Sequence, residues 1–269
     1  MHRNITVFVA ILAGGFLLFS ATGCTKLRAR DHLNKGVQAY KNAQYPEAVE
    51  QFKVAVELDP ELAAARLYLA TAYMSQYIPG ADSPDNNRMA QQAHEEFLSV
   101  LEKDPGNSVA LASIASLFFH QKKFDESEEW FKKLIAAHPD NKEAYYTLGV
   151  IAWTRTFQKR MAARAEMGMR PEDPGPLKDR KVREKIRQEN LPIIEEGLKY
   201  LHRAVEVDPE YDDAMAYLNL LYRERADLQD TSEAYNKDTE MADNWVDKTL
   251  ATKKAKAARS QQEHFGITE

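Results

Sequence analysis

Apolar residues recur along most of this chain every three or four positions, with polar residues between them. That spacing is the period of amphipathic helices. Past the first residues no useful run alternates apolar with polar positions, so the pattern predicts an almost wholly helical protein. The clearest unit is 31–60, DHLNKGVQAYKNAQYPEAVEQFKVAVELDP, which reads as two short helices joined by a tight turn. Ala48, Phe52 and Ala55 line one face of the second helix, four and three residues apart. Asp59-Pro60 ends that helix, because proline has no amide hydrogen and steers the preceding residue away from helix. A hairpin this small cannot bury its apolar face alone and needs neighbours of the same kind.

Copies are present. The ending VELDP at 56–60 returns as LEKDP at 101–105 and VEVDP at 205–209, with a looser AAHPD at 136–140. Counted from these prolines, Ala48/Phe52 recurs as Ala93/Phe97 and Ser127/Phe131, then as Gly197/Leu201. First helices follow each proline. The pattern resembles the tetratricopeptide repeat, whose period is about 34 residues. That family places small residues where the two helices approach, and Gly36/Ala48, Ala70/Ala93, Ala115/Ser127 and Gly149/Gly197 meet the requirement; larger side chains would prop the helices apart. The resemblance implies an all-α, right-handed α-solenoid of about five hairpins over 31–250. The repeats fall at about 28–60, 61–105, 106–139, 140–209 and 210–250, with a polar tail at 251–269. Gly36, Ala48, Phe52, Ala70, Ala93, Phe97, Phe131 and Gly149 are its expected packing positions.

The repeats break twice. SQYIPGADSPDNNRMA interrupts repeat two, and its second helix restarts with Ser83 as cap and Pro84 in the first turn. In repeat four the first helix runs on past Trp153 to a turn rich in proline, and a second long helix returns through Pro192. The expected insert, 153–196, is a basic helical hairpin projecting beyond the solenoid. Two readings of its charge stand: a solvated face without a ligand, or docking to an anionic surface through Lys159, Arg160, Arg164, Lys181, Arg183 and Arg187. Repeat five is less regular. Thr231 and Tyr235 fall at the small and aromatic positions, whereas Asp238 stands where repeat one has Ala55.

The first residues are a separate object. Met1-His2-Arg3 precedes an apolar run, 5–19, and small residues then lead to Cys24, the single cysteine of the chain. This resembles a bacterial lipoprotein signal peptide, which implies cleavage after residue 23, lipid on Cys24 and a short linker at 24–30. An uncleaved spanning anchor is the alternative. Either outcome places the helical part outside the cytoplasm on a membrane. Thr25, not aspartate, follows the cysteine, and by resemblance to proteobacterial sorting this implies the outer membrane, facing the periplasm, in a cell that has one.

Composition narrows function by exclusion. A net charge of -5 argues against a dedicated nucleic-acid binder. There is no zincin pattern after His94-Glu95-Glu96, no glycine-rich phosphate loop and no nucleophile elbow. Neither metal nor cofactor is expected, and no catalytic set converges. What remains is the groove that first helices line in this family. Carrying its positions over gives Tyr40, Leu67, Thr71, Met74, Phe119, His120, Tyr146, Val150, Trp153 and Arg223, with Glu224 beside the last. This set is aromatic and apolar, as an extended peptide or an amphipathic helix requires. The expected function is a non-enzymatic, membrane-anchored scaffold for envelope proteins or peptides. The alternative is a small-ligand or glycan binder stacking its ligand on Tyr40, Tyr146 and Trp153.

Overall fold

The structure, a computed structural model, describes residues 24–170 and 172–266. The signal-like stretch at 1–23 lies outside them. The described residues form ten helices and no strand. The first, α1, covers 24–41. It is followed by α2 (Tyr45–Leu58), α3 (Ala63–Met74), α4 (Pro84–Lys103), α5 (Ser108–His120) and α6 (Phe124–Ala137). Then come α7 (Lys142–Glu166), α8 (Arg180–Val207), α9 (Asp212–Ala226) and α10 (Ser232–Gly266). Consecutive helices pack as hairpins, α3 on α4, α7 on α8 and α9 on α10. Local chemistry sets the starts: Ser83, Asn107, Asn141 and Asp179 each accept a backbone N–H from three residues on.

The chain divides into two compact units, one through Ser127 and the other from Glu128. In the first, the small positions lie in the interior. Gly36, Ala48, Ala70 and Ala93 are buried, and so are Phe52 and Phe97. A Cβ on Gly36 would stand 2.5 Å from the Phe52 ring, so only glycine lets α1 lie this close to α2. Ser127 replaces an alanine without an orphaned hydroxyl, because its Oγ donates to the carbonyl of Ala115 at 2.9 Å. Residues 24–30, expected as a linker, are helical, and Ala29 is fully buried.

In the second unit, Phe131 and Gly149 are buried, and a Cβ on Gly149 would overlap the Leu201 side chain. The core gathers Leu177, Ile194, Leu198, Leu201, Leu218, Leu221 and Trp245. Pro192 does not interrupt α8. The irregular fifth repeat has a local explanation. Buried Asp238 accepts from Arg225 at 2.6 Å and from Gln229 at 2.6 Å, filling the position that Ala55 holds in repeat one. The tail expected from residue 251 is the continuation of α10, tied to the start of α9 by Lys256 on Asp212 and just before it by Arg259 on Glu210 at 2.7 Å.

The inserted hairpin does not project freely. Leu177 is fully buried, and its N–H donates to the carbonyl of Asp227 at 2.9 Å. The 172–179 part of the connection thus folds back onto the α9–α10 turn.

Candidate functional site

In the second unit, α7 carries Tyr146, Trp153 and Phe157 along one side, seven and four residues apart, and Tyr211, the N-cap of α9, and Tyr217 within it lie against Tyr146 and Trp153. Tyr146 lies 5.3 Å from Tyr211 and 5.5 Å from Tyr217, ring centre to ring centre, the latter edge to face. Trp153 lies 5.6 Å from Tyr217, also edge to face, and 4.7 Å from Phe157. All five rings are half-buried. They form a continuous aromatic strip held rigid by ring-on-ring packing, with one side left to solvent. Burial, together with Tyr217 and Asp213 alongside, pushes the Tyr146 phenol up to about 12, and burial raises Tyr211 and Tyr217 as well. At neutral pH these hydroxyls keep their protons and can donate. Lys142 Nζ sits 5.1 Å from the Tyr211 ring centre.

The other groove candidates of this unit are placed differently. Val150 is buried and takes no part in the exposed strip. Arg223 is exposed but engaged, its guanidinium donating to Asn219 at 2.9 Å and Asp243 at 2.6 Å. Phe157, Tyr211 and Tyr217 sit off the carried-over groove positions, so the family pattern does not point to them.

Except for His120, the first-unit candidates are half-buried side chains. Tyr40 shares a hydrogen bond with Ser75 at 2.9 Å and leans on Tyr45 at 5.3 Å. Thr71 donates to the Leu67 carbonyl at 2.8 Å. Leu67 and Met74 are half-buried. Phe119 packs edge to face on Phe124 at 5.8 Å, and His120 beside it is exposed.

Of the basic set expected as an anionic-surface patch, Arg160, Arg164, Arg183 and Arg187 are turned inward onto acidic partners, whereas Lys159 and Lys181 stay exposed. Arg164 is 2% exposed; its Nη1 lies 2.8 and 2.9 Å from the two Asp227 oxygens, and its Nη2 donates to the carbonyls of Arg170 and Asp173. Arg160 pairs with Asp227 at 2.7 Å, and its Nε stands 2.9 Å from Glu224 Oε1, out of line for a hydrogen bond. Arg183 and Arg187 pair with Asp230, and Lys159 with Glu189 at 3.0 Å. Of the six, only Lys181 is exposed without an ion pair among the described residues. Basic side chains that read as a surface are the means by which the insert is fastened down. Glu224, also named for the groove, is 1% exposed; burial pushes its carboxyl up to about 7 against the opposing pull of Arg160.

Among the described residues no cluster of three or more histidine, cysteine or acidic side chains is arranged to hold a metal ion, and no helix is long and apolar enough to cross a membrane. Cys24 is a free, exposed thiol at the edge of the described residues.

Two tetratricopeptide-repeat family models match the chain, over residues 33–77 and 87–149. Among curated proteins, it is 22% identical over 222 residues to the mitochondrial import receptor subunit TOM70 of Homo sapiens, which covers 82% of this chain but 30% of that protein. The chain thus spans less than a third of that relative's length. Among solved structures it resembles MamA, with a TM-score of 0.57 and 14% identity over 86% of this chain and 94% of that one. It also resembles YrrB, described as a tetratricopeptide-repeat protein with an unusual peptide-binding site, with a TM-score of 0.51 and 14% identity over 82% and 84% of the two chains. The fold is therefore that of tetratricopeptide-repeat solenoids, and the repeats themselves are recognised at 33–77 and 87–149.

Proposed function

We propose that the protein is a non-enzymatic, lipid-anchored scaffold of the bacterial cell envelope, and that it holds a peptide segment of a partner protein on the aromatic strip of its second unit. The observation that carries the binding claim is the strip itself. Tyr146, Trp153, Phe157, Tyr211 and Tyr217 are packed rigidly by one another yet remain half-exposed. Rigid aromatic side chains offer large contact area at little cost in lost rotamer freedom, which is why they dominate binding hot spots. The likeness to YrrB, described as peptide-binding, and to TOM70, an import receptor subunit, supports the same class of activity.

Anchoring rests on the sequence before Cys24. A short positive end, an apolar run and small residues leading to the single cysteine fit lipidation at that thiol, with the helical part facing the periplasm from the outer membrane. Exposure of Cys24 is compatible with such a modification.

The test replaces Tyr146 and Trp153 with alanine in the full chain and compares proteins captured from the native envelope after crosslinking. Partners recovered with the wild type are expected to fall away while the helical circular dichroism signal is kept. Undiminished capture by the folded variant overturns the strip. Anchoring is tested separately by Cys24→Ser, which is expected to abolish incorporation of labelled palmitate and release the protein from membranes.

A further inference from the structure

The first unit holds a second feature that the aromatic strip does not use. Between the α3–α4 loop and the α5–α6 turn lies a broad-mouthed trough of about 630 Å3, within the size range of ligand sites. It exists because repeat two is interrupted. The inserted loop would have no shape of its own, but Asn86, 7% exposed, holds it from beneath. Its Oδ1 accepts the N–H of Ile78 at 2.7 Å, and its Nδ2 donates to the carbonyls of Ile78 at 2.9 Å and Ala81 at 2.7 Å. A buried amide making three bonds to the backbone fixes the loop as a wall.

The trough has an apolar floor and a cationic rim. Leu117 and Ala90 are buried beneath it, and the Phe118 ring stands beside them with His94 edge-on at 5.2 Å. On the rim, Lys122 and Lys123 are exposed, and neither is in an ion pair among the described residues. Lys123 Nζ instead hangs 5.7 Å from the Phe118 ring centre. The single carboxylate in the lining, Asp82, already accepts from Asn87 at 3.3 Å. Glu95, next to His94, accepts from Gln91 at 2.8 Å. Burial holds the His94 imidazole below its ordinary value, so at neutral pH the positive charge here comes from the lysines. Two uncompensated ammonium groups over an apolar floor, in a chain of net charge -5, call for a ligand that is negative at its edges and apolar in the middle.

We propose that this trough binds an acidic peptide segment of a partner, with an apolar side chain seated on Phe118 and Leu117 and flanking carboxylates on Lys122 and Lys123. The site is separate from the aromatic strip and would let one chain hold two segments.

Fluorescence anisotropy of the full chain with labelled eight-residue peptides tests it. A peptide centred on Glu-Phe-Glu is expected to bind about tenfold more tightly than one centred on Gln-Phe-Gln, and more tightly than one centred on Glu-Ala-Glu. Moderate salt and the K122Q/K123Q variant are each expected to remove the preference for the acidic peptide, while the Tyr146→Ala, Trp153→Ala variant keeps it. Equal binding of the acidic and neutral peptides by the wild type overturns the proposal, whatever happens to the lysine variant's fold. So does full displacement by inorganic phosphate, which would mean an anion site with no peptide preference. Retained preference in folded K122Q/K123Q overturns it as well.

Discussion

Arg164 Nη1 meets both carboxylate oxygens of Asp227, at 2.8 and 2.9 Å, with side chains 2% and 5% exposed. The pair joins the far end of α7 to the turn after α9, and the remaining Arg164 nitrogens hold the Arg170 and Asp173 carbonyls. One guanidinium thus organises the connection of the insert and fastens it to the rest of the unit. Such a pair does little for net stability compared with apolar residues of the same shape, but removing one partner strands the other in a dry site.

Asp227→Ala should therefore cost about 3–5 kcal/mol, because it leaves both Arg160 and Arg164 without their shared carboxylate. Thermal denaturation measures the loss. Limited proteolysis locates it: new cleavage is expected within 167–179, ahead of global unfolding. An unchanged melting curve and digestion pattern would mean the pair is not what holds the insert.

Glu224 gives a pH signature. Its carboxyl is raised to about 7 by burial, from an ordinary value of 4.5. A raised carboxyl keeps its proton in the folded chain after the unfolded chain has lost it, so stability falls as pH rises from about 4.5 to 7 and the penalty stays in full above that. Below 4.5 both states are protonated and nothing changes. Glu224→Gln removes the titration while Arg160 keeps Asp227. The variant should match the wild type near pH 4.5 and gain on it up to roughly 3 kcal/mol by pH 8. A wild-type-minus-variant difference that is flat with pH would contradict this.

At Gly149 a methyl group would overlap Leu201. Gly149→Ala is expected to lower the denaturation midpoint by about 1–3 kcal/mol of stability, since α7 and α8 must move apart. Adding Leu201→Ala should give the new methyl room, so the double variant loses less than the two single losses summed. Strict additivity would place the cost of the substitution elsewhere.

Much of the repeat skeleton was legible because close helix approach is a local steric demand with a fixed spacing. Gly36, Ala48, Phe52 and Gly149 declare it wherever they stand, and all are buried. The insert was legible as two long helices and not in its fate. Arg164 and Asp227 are 63 positions apart, and no periodicity links them. Before its acidic partners on the α9–α10 turn are located, a run of basic residues reads as a surface. The strip was legible at Tyr146 and Trp153, which occupy family groove positions. Tyr217 completes it from an off-register position, and Val150, on register, is buried. The trough by Lys122 and Lys123 left only an irregular loop in the sequence; its shape depends on three backbone hydrogen bonds made by Asn86.

The central claim is that the exposed side of the aromatic strip touches a partner polypeptide. Site-specific photo-crosslinking in intact cells tests it most directly, with the photoreactive residue placed at Trp153, at Tyr217 and, as a control, at exposed Lys199 on α8. Discrete adducts of the same added mass from positions 153 and 217, and none from 199, are the predicted result. No adduct from either strip position, or the same adducts from all three, would contradict the account.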